Sequence, residues 1–185
     1  MKKLMTLVLL PLAAGCLSSA PKAPINWLVE VKAPAQRGET ALSTVGTVRL
    51  ASVNVRAPYD GARIAVLRPD GSIAFDAHNV FAAKPATLLK GPAEDLLAGS
   101  GAYGTVIGSS SYAAARRSVE VEVTRLAFDC TGEQRLAVVE LSLLVLEGRE
   151  LKEVRCGRGA VEPGDDFSRA FSEAFAAAMH EALER

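Results

Sequence analysis

The chain has 185 residues and a mass of 19.5 kDa, with 21 basic and 21 acidic side chains and a formal net charge of zero. Because no basic excess exists to neutralise phosphates, and only 5% of the residues are aromatic, the composition argues against a nucleic-acid-binding protein. Hydrophobic residues make up 49% and charged residues 23% of the chain, as in one globular domain.

The N-terminus carries a short basic segment followed by an apolar one. Lys2 and Lys3 precede a run at residues 4–15 that is apolar but for Thr6. As a helix, this run would extend about 18 Å, which is short of the ~30 Å hydrocarbon core of a bilayer. The pattern therefore predicts a secretory signal peptide over residues 1–15 rather than a membrane-spanning helix.

The residues that follow this run predict that Cys16 carries a lipid. The small residues Ala13, Ala14 and Gly15 stand directly before Cys16 and resemble the bacterial lipobox. There, signal peptidase cleaves before a cysteine whose thiolate has accepted a diacylglycerol. A cleaved signal peptide that happens to be followed by a cysteine is the alternative. In the enterobacterial sorting rule an Asp after the cysteine retains a lipoprotein in the inner membrane, so Leu17 predicts the outer one.

The predicted mature chain begins with a tether. Residues 16–24 contain Pro21 and Pro24 among small residues, a composition typical of a short linker between a lipid and a domain. Several acyl chains on one residue, at about 0.8 kcal/mol per buried methylene, are enough for stable anchoring. A folded domain is predicted over residues 25–185.

Alternating apolar residues predict a β-rich domain. The predicted strands cover residues 25–32, 44–55, 63–68, 72–76, 103–107, 118–129, 135–146 and 151–156. The alternation changes phase near Ala51 and Ser52 and again near Thr124 and Arg125, which predicts a β-bulge at each place. The third and fourth strands are predicted to form a hairpin across residues 69–71, where Asp-Gly supplies a positive φ.

Two segments have helical periodicity. The first covers residues 85–98 and is interrupted at Gly91 and Pro92, which predicts a kink or two short pieces. The second is capped by Asp165 or a neighbour and reaches about Leu183, with a Phe- and Ala-rich stripe suited to cover a sheet. The order of elements predicts an α+β fold: a single domain with a mostly antiparallel sheet and two helices packed on it.

No segment carries a convincing catalytic, cofactor or metal site. The glycines from Gly99 to Gly104 match the spacing of a dinucleotide-binding loop, but a helix is predicted before them and a strand after them, which is the reverse of that motif. They are better explained as a helix stop and turn. His78 and His180 are the only histidines, and neither has a predicted catalytic partner. We therefore predict a protein that is not an enzyme and has no cofactor or metal.

Cys130 and Cys156 leave two interpretations open. In an exported protein, an even pair of cysteines is usually a disulfide. However, the predicted hairpin turns place the two residues roughly 20–25 Å apart, whereas a disulfide needs Cα atoms within ~7 Å. The pair is either a disulfide in a less regular sheet or two small buried thiols.

Several segments together match the pattern of a known family: Asn26-Trp27-Leu28-Val29, residues 79–85, residues 96–101, the strands at 119–128 and 136–146, and the last helix. With these parts the sequence resembles the ABC-type transport auxiliary lipoprotein family, which includes the PqiC-like proteins. The similarity covers most of residues 25–183, and Phe81 stands where the family usually has Trp.

The resemblance implies a function without catalytic residues. It implies an outer-membrane, periplasm-facing lipoprotein that works with an MCE-family periplasmic protein and an ABC transporter in lipid transport, and that self-associates. The rival hypothesis is an outer-membrane lipoprotein that scaffolds or activates cell-wall synthesis or secretion machinery. Edge strands are candidate contact surfaces. Tyr59, Phe75 and Phe81 are weaker candidates, because packing in the core or in turns explains them better.

Overall fold

The computed structural model describes residues 23–29 and 46–185, which form one mixed β-sheet and two helices. Cys16, and with it the predicted signal peptide and most of the tether, lies outside the described residues. The elements in chain order are β1 (Ile25–Trp27), β2 (Thr47–Val55), β3 (Arg63–Leu67), β4 (Ile73–Phe81), α1 (Pro85–Gly99), β5 (Thr105–Ile107), β6 (Arg117–Asp129), β7 (Leu136–Glu147), β8 (Glu150–Val161) and α2 (Phe167–Glu184).

The prediction of a mostly antiparallel sheet is wrong. Three pairings in the described chain are antiparallel, namely β3–β4, β6–β7 and β7–β8. Four are parallel, namely β1–β4, β2–β5, β2–β6 and β3–β6. Strands joined by tight turns pair antiparallel, as the sequence pattern suggested, whereas strands joined by longer crossings pair parallel. The single α+β domain with two helices remains consistent with the structure.

The long strand β6 organises the sheet. Its whole length pairs with β7 on one side, and β7 then pairs with β8. On its other side, β2 pairs with the first half of β6 and β3 with its last residues, so that β2 and β3 follow each other along one edge of β6. The sheet continues from β3 through β4 to β1. β1 and β8 are therefore at opposite edges.

Both predicted bulges and the predicted hairpin are confirmed. The register of β2 against β6 shifts between Leu50 and Ser52, and that of β6 against β7 shifts between Val123 and Arg125. Each shift restores the buried face after the change of phase in the sequence. The β3–β4 turn contains Gly71 with φ of +80°, a backbone conformation that glycine adopts without steric penalty.

The helices differ in how closely they follow the prediction. α1 is a single helix that includes Pro92, so the chain does not divide into two pieces there. The N-cap of α2 is Asp166, the neighbour of Asp165, and its carboxylate accepts a 3.0 Å hydrogen bond from the backbone N–H of Arg169. This bond satisfies one of the unpaired donors of the first turn.

Both helices pack on one face of the sheet, which we call the inner face. Val119, Val121 and Val123 of β6 point toward this face and are fully buried, as are Phe171 and Phe175 of α2. These residues belong to a single hydrophobic core with the buried positions of β2, β7 and α1. The opposite side, which we call the outer face, carries Glu120 and Glu122 of β6, both partly exposed, and is the side available to other molecules.

The last strand is twice as long as predicted, because two glycines continue it under α2. The prediction ended this strand at Cys156, before Gly157 and Gly159. A Cβ atom on Gly157 would lie 1.9 Å from the carbonyl oxygen of Ala178, and one on Gly159 would lie 1.8 Å from that of Ala174. Here glycine allows the backbones of β8 and α2 to touch, a role that strand propensity does not indicate.

Candidate docking surface

The outer face carries an exposed apolar cluster at the β7–β8 hairpin. Leu144 pairs with Val154, and Leu146 pairs with Leu151. Leu151 is 49% exposed and Val154 is 51% exposed. We call these four residues the outer patch. Isolated exposed apolar residues are normal on soluble proteins, but apolar side chains that are neighbours across two strands are typical of a contact surface.

The other half of the outer face is polar and internally paired. The carboxylate of Glu140 lies 3.3 Å from the guanidinium groups of both Arg125 and Arg158, and Arg125 lies 3.8 Å from Asp129. Hydrogen bonds from the hydroxyl and backbone N–H of Thr131 lower the pKa of Asp129. Ion pairs that are partly exposed, as these are, add little stability. The paired charges bound the outer patch on one side.

β8 also presents an open edge beside the outer patch. Within residues 46–185 its only strand partner is β7. At one position the edge is closed by α2, because the backbone N–H of Arg158 donates a 2.7 Å hydrogen bond to the carboxylate of Glu181. An open edge adjoining apolar side chains can bind an added strand through backbone hydrogen bonds.

A polar cluster lies on the inner face where α2 ends. Arg155 donates hydrogen bonds to Glu153 at 2.8 Å and to the carbonyl oxygen of Leu183 at 3.4 Å. The hydrogen bond to Glu153 is the main cause that raises the pKa of Arg155. Tyr103 lies nearby, and burial raises the pKa of its phenol. These contacts fix the end of α2 on β8 and keep Arg155 charged.

The strand that follows the predicted tether is fastened at the opposite end of α2. The indole N–H of Trp27 donates a 2.9 Å hydrogen bond to Asn79 on β4, and its ring packs on Phe167, with ring centroids 5.6 Å apart. The hydroxyl of Ser168 donates a hydrogen bond to the carbonyl oxygen of Leu28. Phe167 begins α2, whereas the carbonyl oxygen of Leu183, at its other end, accepts a hydrogen bond from Arg155, the chain neighbour of Val154. With 18 residues, α2 separates the two regions by about 27 Å.

The two cysteines of the domain do not lie together. Cys156 is opposite Ser142 on β7, and its sulfur lies 3.5 Å from the Ser142 hydroxyl oxygen. Cys130 follows the end of β6, where Asp129 pairs with Leu136. The step from Leu136 to Ser142 along β7 is about 20 Å. Both thiols are free in the structure, Cys130 half-buried and Cys156 exposed.

The aromatic residues considered from the sequence separate into two groups. Tyr59 and Phe81 are buried, with 9% and 3% exposure, and both belong to the core. Phe75 is 36% exposed on the β3–β4 hairpin, where the guanidinium of Arg63 lies 4.8 Å from its ring centroid. The sequence analysis did not predict the outer patch. The alternation of apolar and polar residues in β7 and β8 does not reveal that no other element covers one face of these strands.

The glycine-rich segment has the order of elements expected for a turn. α1 ends at Gly99, Gly101 has φ of +70°, and β5 begins at Thr105. A dinucleotide-binding loop needs a strand before it and a helix after it.

Within the described ranges there is no group of three His, Cys, Asp or Glu side chains that could hold a metal ion. In those ranges, too, no helix has the length and apolar character needed to cross a bilayer.

Comparison with known proteins identifies the fold. Protein XCC0632 from Xanthomonas campestris, described as family DUF330, superposes with a TM-score of 0.65 at 18% identity, covering 86% of this chain and 90% of that one. A crystal structure of an uncharacterized protein gives a TM-score of 0.58 at 13% identity, covering 84% and 93%. A PelC dodecamer from Paraburkholderia phytofirmans gives 0.47 at 15% identity, covering 79% and 94%.

The first two similarities show that this chain is a single α+β domain with the fold of XCC0632. No family model matches the sequence, and no curated protein sequence matches it. At identities below one fifth, a common fold is shown and a common activity is not.

Proposed function

We propose that this protein is a lipoprotein of the outer membrane, anchored through Cys16 and facing the periplasm, that serves as a non-catalytic adaptor of an ABC/MCE-type lipid transport system. Its partners in this proposal are an MCE-family periplasmic protein and an ABC transporter, whose ATPase supplies the energy. The domain also self-associates. The N-terminal pattern and the family resemblance of the sequence support this function.

The observation that carries the proposal is the separation between tether and outer patch. The predicted tether enters the domain at β1, which is fastened to the first turn of α2 through Trp27 and Leu28. The outer patch lies toward the other end of α2, about 27 Å away, where Arg155, the neighbour of Val154, donates a hydrogen bond to the carbonyl oxygen of Leu183. A lipid at the tether therefore holds one end of the domain near the membrane and presents the outer patch toward a partner in the periplasm.

The chemistry of this surface fits docking better than catalysis. The outer patch consists of aliphatic side chains, which bind by burial of apolar area, at roughly 25 cal/mol per Å². Charged side chains beside it are paired with each other, as in the Glu140 cluster. A contact of this kind has an apolar centre and a polar rim, the usual arrangement of a protein–protein interface.

Affinity capture of the tagged full chain from membranes tests the proposal. We expect the wild type to recover an MCE-family protein and its permease. Leu151→Asp places a charge in the outer patch and should reduce this recovery at least tenfold, because burial of an unpaired carboxylate opposes binding. Ile73→Asp is the matched control, since Ile73 is also an exposed aliphatic strand residue, at 41% exposure, and lies on the separate β3–β4 hairpin.

Three results would contradict the proposal in different ways. Recovery of only cell-wall synthases or secretion components would replace the transport function by the rival one. Equal loss for Leu151→Asp and Ile73→Asp would exclude the outer patch as the docking surface. A Cys16→Ser variant that stays in the membrane pellet, or a wild-type chain without acyl groups by mass spectrometry, would exclude the anchor.

A further inference from the structure

The open edge of β8 has unpaired backbone groups at defined positions. The backbone N–H of Arg158 points away from β7, because it donates to Glu181 of α2. Backbone direction alternates along a strand, and the register from Val154 to Val161 is uninterrupted. The N–H and C=O groups of Val154 and Cys156 therefore also point away from β7. Within residues 46–185 no strand pairs with this edge.

α2 leaves the edge accessible from Val154 onward. The helix runs back along β8, with Ala174 over Gly159 and Ala178 over Gly157. It ends where Arg155 donates a hydrogen bond to the carbonyl oxygen of Leu183. Val154 is thus the first residue of β8 beyond the helix end. A strand added around Val154 would meet no helix on the inner face.

The charges around Val154 fit a second copy of the same segment. Glu153 and Arg155 lie on either side of Val154, and their side chains form a 2.8 Å ion pair on the inner face. In an antiparallel pairing of two copies centred on Val154, Glu153 of each copy lies opposite Arg155 of the other. The four side chains then alternate in sign, and opposite charges directly across antiparallel strands are favourable.

We propose that two copies of this chain join through antiparallel pairing of their β8 edges, centred on Val154. The two Val154 residues exchange two backbone hydrogen bonds across the two-fold axis. The ladder is short, because β8 has a bulge between Leu151 and Glu153 and the carboxylate of Glu181 occupies the edge at Arg158. The two α2 helices extend from the axis in opposite directions and do not overlap.

This pairing joins the outer patches of the two copies. The two-fold axis is perpendicular to the sheet, so both outer faces lie on the same side of the dimer. The side chain of Val154 lies on that face, and the two copies of it meet at the axis, with Leu144 behind each one. The result is one continuous apolar surface of twice the area.

The inference deepens the self-association in the proposed function and rests on it, but it does not depend on the identity of the transport partner.

Thiol cross-linking in membranes tests the register. In the full chain, Cys130 and Cys156 are changed to Ser, and Val154→Cys is added. Opposed residues of a hydrogen-bonded pair have Cα atoms about 5.5 Å apart, within disulfide range. We expect a disulfide-linked dimer after oxidation with diamide. In the matched variant only Cys130 is replaced, so that Cys156 is the test thiol; its two copies would lie about 13 Å apart and should not link.

A dimer through Cys156, or no dimer through the thiol at residue 154, would overturn the proposal. Capture of the transport partner could still succeed in either case, so the failure of this inference is distinguishable from failure of the proposed function.

A proline substitution tests the same edge without a thiol. Val154→Pro removes the N–H that would bond to the second copy, while the bonds between β8 and β7 stay intact. Ala160→Pro is the matched control, because its N–H points the same way but lies outside the ladder. For the full chain in detergent, sedimentation should show dimers for wild type and Ala160→Pro, and at least tenfold weaker association for Val154→Pro. Unchanged association of Val154→Pro, or equal loss in both variants, would refute the pairing.

Discussion

The contact between α2 and β8 leads to a quantitative prediction for Gly157. An alanine there would place its Cβ atom 1.9 Å from the carbonyl oxygen of Ala178. Real Cβ atoms essentially never come closer than 3.0 Å to another heavy atom, so α2 must move away from the sheet by about 1.1 Å. The obstacle is backbone of a helix whose Phe171, Phe175 and Met179 are at most 1% exposed, and it cannot yield by rotating a side chain.

We expect Gly157→Ala to lower the free energy of unfolding by roughly 2 kcal/mol. Overpacking of a well-filled core costs about 1–3 kcal/mol of stability. Displacement of a whole helix should cost an amount at the upper end of this range. A gain of about 0.4–1 kcal/mol from the less flexible unfolded chain offsets part of this loss. For a domain of this size, the net loss corresponds to a melting temperature lower by roughly 4–8 °C.

Urea unfolding followed by far-ultraviolet circular dichroism measures this change. Gly132→Ala is the control, because Gly132 lies in the exposed β6–β7 loop and a Cβ atom there would meet no atom within 4 Å. Its stability should equal that of the wild type or exceed it by up to about 1 kcal/mol, because the unfolded chain becomes less flexible and the folded chain meets no clash. If Gly157→Ala were as stable as the control, the close approach of α2 to β8 would be refuted.

Two further predictions concern individual side chains. Asp166→Ala should lower the free energy of unfolding by about 1 kcal/mol through loss of the α2 N-cap, with Asp165→Ala as control; equal urea midpoints for the two variants would exclude the cap. Hydrogen bonds from Thr131 lower the pKa of Asp129 in the folded protein. The stability that this carboxylate contributes is therefore fully present above the pKa that it has in the unfolded chain, about 3.9. That stability is lost as the pH falls through the lower pKa of the folded protein. Asp129→Asn should therefore lose less stability than the wild type between pH 6 and pH 3; identical losses in urea titrations at the two pH values would contradict this sign.

Much of the local structure was predictable because it depends on neighbouring residues. The phase changes near Ala51 and Thr124 predicted both bulges, since a one-residue shift is the simplest way to keep the same face buried. Asp70-Gly71 predicted the hairpin through the positive φ of Gly71. The position of the α2 N-cap followed from an acidic residue before the apolar stripe, to within one residue.

The pairing of strands could not be predicted in the same way. The alternation of β2 and β3 shows which side chains are buried, but not that both strands lie along one edge of β6 in parallel orientation. This arrangement follows from long-range contacts and from the course of the connecting segments. For the same reason the sheet was wrongly expected to be mostly antiparallel.

The candidate docking surface also combines features that the sequence predicts with features that only the tertiary structure shows. The sequence alone determined the order of strands and helices and the core-facing residues of most elements, because these depend on periodicity within each element. Lipid attachment at Cys16 stays a prediction from a short contiguous pattern. Only the tertiary structure decided that Gly157 and Gly159 bring α2 onto β8, and that the outer patch stays uncovered beside an open edge. Burial of a strand face depends on which elements pack against it, and those elements lie far away in the chain.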